Sequence, residues 1–417
     1  MIWTIIKKEI LENLTTYRFA ILIILLFLMV AVSIFVSYGD YEGRIENFNA
    51  NHPEPHSSNV MIRPTSLSIF VKGVDAHMGR LYYLKYSGIE VQGADEAVNR
   101  LFALFIEPDM LFVVRVMLSL IALLFSFDAI TGEKENGTLK LSLVAGTNRM
   151  GMLLGKFLGR GMLVLVPFSI FYLVAALVVS LLPDVQATTD FWLRIMFLLL
   201  ISILYVFVFS AVGLFLSGLV HRSSVALGLS LGVWAFLVFV VPQMGIALAR
   251  AVAEVPPSER VDMQNRLATI RGIYERIQRE GDSGTPEGWK KMVEETKDAN
   301  SQILESYGPK LNDHIQFTKN IIRFSPAGAL TFLVTDVAGS GAYEEVRLKD
   351  YLTGFLQRNF DVIAQIQKGV IEDFRYNRAG LGEVVAQSAF VDLVSVMISG
   401  ILFLALSIVV FLRYDPR

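Results

Sequence analysis

The chain contains no cysteine among its 417 residues. This absence excludes disulfide bonds, thiolate metal ligands and cysteine nucleophiles, and it leaves the redox compartment unreadable. Charged residues are also scarce, at 18%, whereas soluble domains carry roughly 25%. The formal net charge of −2 gives no general attraction for nucleic acid. These deficits indicate a chain surrounded largely by apolar solvent.

Apolar residues make up 53% of the chain and are concentrated in long runs. A helix needs about 20 such residues to cross a hydrocarbon core of about 30 Å. Six runs meet this length and predict an all-α polytopic membrane protein with transmembrane helices at 19–38, 110–130, 158–182, 191–219, 224–248 and 388–412. The first run exceeds the core of a signal peptide and lacks a cleavage site after it, which favours an uncleaved anchor.

The basic residues of the short loops predict the orientation. The loop 131–157 contains Lys134, Lys140, Arg149 and Lys156. The loop 183–190 has no basic residue, and Arg413 and Arg417 follow the last run. The pattern predicts a multi-pass protein of a bacterial cytoplasmic (inner) membrane with both termini cytoplasmic. Segments 39–109 and 249–387 are then extracytoplasmic.

The first eighteen residues predict an amphipathic elbow helix in the inner membrane interface. One side is apolar, with Ile2, Trp3, Ile6, Ile10 and Leu14, and the other carries Lys7, Lys8, Glu9 and Glu12. Trp is enriched at membrane interfaces, which favours an interfacial helix over a plain charged lead-in to the first span.

The two extracytoplasmic segments differ in pattern. Segment 39–109 has short β-branched and aromatic runs bounded by Gly and Pro, which predict a small β element. Segment 249–387 has apolar stripes at helical spacing and predicts a mainly helical domain. Within it, residues 325–341 are apolar for only about ten positions, too few to span, and predict an interfacial or re-entrant helix.

The most informative stretch follows the second run. Residues 125–161 contain the order Gly132-Glu133, Gly137-Thr138 and Gly155-Lys156, which an ordinary positive-inside loop does not require. This order resembles the first cytoplasmic loop of type-2 ABC transporter permeases, the membrane subunits of ABC exporters. In that family the loop forms a coupling helix that rests in a cleft of a separate ATPase. The resemblance places the ATPase contact at Glu133, Lys134, Glu135, Asn136, Gly137 and Thr138.

The long outer segments resemble a subgroup of these permeases associated with multicopper-enzyme maturation. The strings that carry this weaker likeness lie at 63–73 and 325–341. The family resemblance implies two ABC ATPase subunits as partners, a second permease copy in a homodimer or similar heterodimer, and an extracytoplasmic partner. ATP and Mg would bind the ATPase, and this chain would have no cofactor, metal or catalytic site of its own.

Two further patterns bear on function. Gly151 to Lys156 differs from a phosphate-binding loop, because that motif needs four residues between its glycines and a Ser or Thr after the Lys. Gly228 and Gly232 have the spacing of a helix-packing seam, which suits either a dimer or internal packing.

Ionisable residues inside spans are candidates for function. Arg115 and Asp392 both lie near the outer ends of their spans and are candidates for a mutual ion pair or for the transport path. Snorkelling of the side chains to the interface is the alternative.

Two other functions compete with that of an exporter subunit: a secondary transporter, and a membrane-anchored assembly or receptor protein. No internal repeat in the sequence supports a secondary transporter. The sequence does not specify the cargo.

Overall fold

The computed structural model describes residues 2–51, 59–85, 88–91, 108–144, 148–252, 316–363 and 374–414. The helical stripes predicted between 258 and 307 lie outside these residues. Within them, six helices are long and apolar enough to cross a membrane. Numbered as spans 1 to 6, they are Tyr17–Ala50, Met110–Glu135, Arg149–Ser180, Thr189–Leu219, Ser223–Gly245 and Leu381–Leu412. The loop helix Thr131–Glu135 forms the end of Met110–Glu135, and the name span 2 is kept for residues 110–130. The prediction of an all-α membrane protein is confirmed.

Six crossings bring both chain ends to one face of the bundle, here named the loop end. It contains the helix Ile2–Leu14, the loop helices Thr131–Glu135 and Thr138–Val144, and residues 412–414. Arg149 connects the start of span 3 to the last of these parts, because its Nη1 donates to the carbonyls of Leu412 and Tyr414 at 3.0 and 3.1 Å. The opposite face, the insert end, contains residues 59–85, 88–91, 181–188 and 374–380.

Spans 2 and 4 form the interior of the bundle. Their most apolar stretches are 78% and 67% buried, whereas those of spans 1, 5 and 6 are only 17%, 17% and 11% buried. The outer helices therefore present apolar side chains such as Phe35 and Ile401, at 81% and 64% exposure, away from the protein. Such a surface is suited to lipid, and the helical backbone satisfies its own hydrogen bonds there.

Span 1 continues well beyond its predicted end at residue 38. The helix extends to Ala50 because its apolar stripe persists through buried Tyr41 and Ile45, and Arg44 pairs with Asp40 one turn earlier at 2.9 Å. The helix therefore continues into the segment 39–109 that the sequence assigns to the first insertion. The apolar run ends at residue 38 because polar residues follow it. One face of the helix nevertheless stays buried against the insert end.

The predicted β element is a three-stranded antiparallel sheet in the order β1-β2-β3. Its strands are Asn59–Met61, Leu81–Lys85 and Gly88–Val91, with Val60 opposite Tyr82 and Leu84 opposite Ile89. Two short helical turns, Ser66–Ile69 and Asp75–Met78, connect β1 to β2.

The two insertions are joined through Asp75. Its fully buried carboxylate accepts from Arg44 of span 1 at 2.5 Å and from Arg378 of the second insertion at 2.7 Å. A charge buried in this way is stable only when it is paired, so the two arginines hold the segments together. The helix Ala342–Ile363 adds further packing at this end, where Leu348 and Leu352 are buried.

The short apolar segment forms the helix Pro326–Ala338. Ser325 caps its first turn by accepting from the amides of Ala327 and Gly328, and Gly339 ends it with φ +70°. All thirteen side chains are buried. The helix thus lies inside the bundle rather than along its surface.

Candidate functional site

The loop that follows span 2 folds as two short helices, Thr131–Glu135 and Thr138–Val144. Between them Gly137 adopts φ +71°, a conformation that costs an L-residue with a Cβ roughly 1–2 kcal/mol. The first helix is fixed to span 4, because the amides of Ile130 and Thr131 donate to Ser217 Oγ at 2.9 and 3.0 Å. The loop is therefore compact and rigidly attached to the spans.

Glu133 points into the protein. Lys156 of span 3 lies 2.8 Å from Glu133 and 2.7 Å from Glu9 of the helix Ile2–Leu14. Lys156 and Glu9 are each only 2% exposed. A single buried ammonium group thus joins the loop to the N-terminal helix.

The same network extends along span 3 to the end of span 2. Arg160 donates to Glu9 at 2.8 Å and also to Asp128, which pairs with Arg18 at 3.0 Å. These groups form an ion cluster of three acids and three bases: Glu9, Asp128, Glu133, Arg18, Lys156 and Arg160. The exposed Lys8 lies at its edge, 3.8 Å from Glu133. The pairing of opposite charges offsets the cost of burying Glu9 and Lys156.

The environment of Glu9 differs from the predicted one. The amphipathic pattern placed it on the polar side of the N-terminal helix, but the structure buries it against span 3. Burial raises the pKa of Glu9, and the neighbouring charges of Arg160 and Lys156 outweigh that effect, so its net pKa is lowered. The carboxylate is therefore held in its charged form. Helical periodicity could not reveal this, since the partners lie far away in sequence.

Glycines of span 3 allow the N-terminal helix to approach closely. A Cβ at Gly155 would lie 2.7 Å from Ile5 Cγ2, and one at Gly159 would lie 3.2 Å from the Ile6 carbonyl oxygen. Gly155 and Gly159 therefore serve helix packing.

Lys134 and Glu135 also contact other parts of the chain. Lys134 Nζ donates to the carbonyls of Gly218 and Val220 at 2.6 and 3.0 Å, at the end of span 4. Glu135 accepts from the amide and hydroxyl of Ser223 at 3.0 and 2.5 Å, at the start of span 5. These two side chains thus connect the loop to the turn between spans 4 and 5.

The exposed part of the loop lies beyond these anchors. Asn136, Gly137 and Thr138 are exposed, as the predicted contact requires, and so are two apolar side chains of the second helix. Leu141 is 72% exposed and Val144 is 87% exposed. Sequence reasoning did not select them. They belong to the loop helix Thr138–Val144 and not to a span, which distinguishes them from lipid-facing residues.

A second group of buried charges lies at the insert end. Arg115 is 2% exposed and donates to Thr331 at 3.3 Å. Asp392 is fully buried, but it pairs with Arg323 at 2.5 Å. The suggested pairing of Arg115 with Asp392 is therefore corrected: Arg323 lies just before the short helix and takes that role. The predicted burial of both residues is observed.

Comparison with known proteins gives one family and two relatives. A family model described as ABC-2 family transporter protein matches residues 3–416. The chain is similar to a probable ABC transporter permease protein NosY of Stutzerimonas stutzeri, at 41% identity over 133 residues, 32% of this chain and 48% of that protein. The corresponding protein of Pseudomonas aeruginosa is 40% identical over 123 residues, 29% and 44% of the two chains. The aligned part thus spans about half the length of these curated relatives.

Proposed function

This chain belongs to the ABC-2 family of transporter proteins, and we propose that it is the membrane subunit of an ATP-driven exporter. A separate ATPase would bind at the loop end, which would be cytoplasmic, and its ATP-driven closure would move the spans. The permease relatives, so described by name, support this assignment. The chain itself would perform no bond chemistry, and ATP and Mg would bind the ATPase.

The observation that carries the proposal is that the charged and the apolar side chains of the loop point in different directions. Its charged residues Glu133, Lys134 and Glu135 bond to the permease, while Leu141 and Val144 project from it. Exposed apolar side chains outside the membrane-spanning helices are characteristic of a protein interface. We assign the ATPase contact to the second loop helix, together with Asn136, Gly137 and Thr138.

The ion cluster would transmit the motion of the loop. A displacement of Glu133 acts on Lys156 and through it on Glu9, so span 3 and the N-terminal helix would move with the loop. Buried ion pairs at 2.7–2.8 Å suit this task, because separating them exposes unpaired charges to a low-dielectric interior. Glu133 and Lys156 would thus act in coupling rather than in binding.

A second copy of the chain would complete the exporter. Gly228 and Gly232 of span 5 have no protein atom within 4 Å of an added Cβ. Internal packing therefore does not explain them in the described part of the chain, which supports the dimer alternative. Small residues at this spacing let two membrane helices approach closely.

Co-purification with the ABC ATPases of the same organism, each co-expressed with this chain, tests the proposal. We expect the double variant Leu141→Ala, Val144→Ala to lose the ATPase. Leu181→Ala is the matched control, since Leu181 is 78% exposed at the opposite end. Glu133→Gln should retain ATPase binding but lose stimulation of ATP hydrolysis. Failure of the parent chain to bind the ATPase would refute the assignment.

A further inference from the structure

Charged side chains at the loop end bind the ends of three spans. The C-terminal end of a helix leaves backbone carbonyls without a partner in that helix, and the N-terminal end leaves amides. The helix dipole favours a cation beside the carbonyls and an anion beside the amides. The chain follows this rule with Lys134 at the end of span 4, Arg149 at the end of span 6 and Glu135 at the start of span 5. These three are named the helix-end contacts.

Lys134 occupies the C-terminal end of span 4. Its Nζ donates to the carbonyls of Gly218 and Val220 at 2.6 and 3.0 Å. The same ammonium group lies over the ring of Tyr414, 4.9 Å from the ring centroid, and the face of an aromatic ring attracts a cation. Lys134 therefore joins the loop both to the end of span 4 and to the residues that follow span 6.

Arg149 occupies the C-terminal end of span 6. Its Nη1 donates to the carbonyl of Leu412, the last residue of that span, and to the carbonyl of Tyr414. The ring of His221, in the turn between spans 4 and 5, lies 6.5 Å from the ring of Tyr414. Because its backbone binds Arg149 and its ring faces Lys134, Tyr414 supports both cations.

Glu135 occupies the N-terminal end of span 5. Arg222 is the N-cap residue of that helix, and its side chain makes no capping hydrogen bond. Glu135 takes this place, since its carboxylate accepts from the amide of Ser223 at 3.0 Å and from the hydroxyl of the same residue at 2.5 Å. The first turn of span 5 is thus capped by a side chain of the loop.

The ion cluster connects the loop to the other spans. Glu133 contacts Lys156 of span 3, which also binds Glu9 of the N-terminal helix. The cluster continues to spans 2 and 1 through Asp128 and Arg18. The six members of the cluster and the helix-end contacts have no residue in common. Consecutive residues of the loop therefore bind two different halves of the bundle.

We propose that the helix-end contacts and Tyr414 form a second route by which the loop moves the bundle. The ion cluster connects the loop to the N-terminal helix and spans 1 to 3, and the second route connects it to spans 4, 5 and 6. Lys134, Glu135, Arg149 and Tyr414 are then positioning residues, because they act through the helices whose ends they bind or support. That an ATPase drives this movement rests on the proposed function.

Hydrogen–deuterium exchange in nanodiscs tests the second route without an ATPase. Tyr414→Leu keeps an apolar side chain but removes the ring that faces Lys134. We expect amide exchange in residues 131–136 and 223–228 to become about fivefold faster, the factor that about 1 kcal/mol of cation–ring attraction produces. Exchange in residues 2–14 should stay unchanged, because the ion cluster is intact. Tyr414→Phe keeps the ring and should match the parent chain.

Two further variants separate the two routes. Glu133→Gln weakens the ion cluster and should accelerate exchange in residues 2–14 more than in residues 223–228. Arg413→Gln removes an exposed cation beside Tyr414 and should change neither. Unchanged exchange in residues 223–228 of Tyr414→Leu, or equal acceleration in residues 2–14, would overturn the second route.

ATP hydrolysis by the ABC ATPase that co-purifies with this chain tests whether the second route acts in coupling. Tyr414→Leu should retain ATPase binding but lose most of the stimulation of hydrolysis, and Tyr414→Phe should restore it. Full stimulation with Tyr414→Leu would refute the positioning role. If no ATPase binds the parent chain, the proposed function fails, and the exchange results alone decide the second route.

Discussion

The ammonium group of Lys156 lies 2.8 Å from the carboxylate of Glu133, although the two residues belong to different elements. Lys156 is part of span 3, and Glu133 is part of the loop helix after span 2. Because Lys156 also binds Glu9 at 2.7 Å, the contact fixes the loop, span 3 and the N-terminal helix in one arrangement.

Replacing Lys156 by Gln should strongly destabilise the protein. The change leaves Glu9 buried with one partner fewer, and breaking a buried pair costs about 3–5 kcal/mol. The melting temperature of the purified chain measures the effect. Lys8→Gln is the matched control, because Lys8 is 55% exposed and lies 3.8 Å from Glu133; its cost should stay below about 1 kcal/mol. Similar melting temperatures for the two variants would argue against the cluster.

Acid should weaken the cluster through Glu9. Its pKa is lowered in the folded chain, so its stabilising effect is complete above the unfolded pKa of about 4.3 and is lost as the pH falls through the folded value. The melting temperature should therefore decrease below about pH 4.3. Glu9→Gln should melt lower at neutral pH and show a shallower acid decrease. An identical pH profile for the parent and the variant would contradict this assignment.

Gly159→Leu should detach the N-terminal helix from span 3. An added Cβ already lies 3.0 Å from Glu9 Cβ and 3.2 Å from the Ile6 carbonyl, so a larger side chain has no room. Overpacking of this kind costs about 1–3 kcal/mol. Trypsin should then cleave at Lys7 and Lys8 faster, which loss of an N-terminal tag would record. Gly39→Leu, where nothing lies within 4 Å, is the control and should not change cleavage.

The double variant Gly228→Leu, Gly232→Leu should decrease the fraction of dimer. Bulky side chains would hold the two copies of span 5 apart, without clashing inside one copy. Native mass spectrometry of the protein released from nanodiscs measures the fraction. Gly39→Leu, Gly43→Leu is the control, since these glycines have the same spacing and equally open surroundings. Equal dimer fractions in both variants would exclude a span 5 seam.

The predictable part of the fold is the part governed by local composition. Apolar run length located all six spans, because crossing a bilayer imposes that length on each of them. The continuation of the first helix beyond residue 38 was not predicted, since the burial of Tyr41 and Ile45 depends on an insertion with little pattern of its own. The short helix was identified from its length, but its position within the bundle depends on contacts with four spans.

The loop could be selected as a candidate site from the sequence, but the direction of its side chains could not. The order of residues around Gly137 indicated the loop, whereas the inward direction of Glu133 depends on Lys156 and Glu9, which are distant in sequence. Asp392 was recognised as a buried charge, but its partner Arg323 belongs to an insertion that hydropathy could not position. Pairings of this kind are properties of the folded chain alone.

Site-specific cross-linking from Leu141 tests the central claim most directly. The chain has no cysteine, so Leu141→Cys can carry a single photoactivatable maleimide, and Leu181→Cys can carry the same probe at the opposite end. On illumination in the presence of the ABC ATPase that co-purifies with this chain, position 141 should yield a permease–ATPase adduct and position 181 should not. No adduct from 141, or equal adducts from both positions, would contradict the assignment of this loop as the ATPase contact.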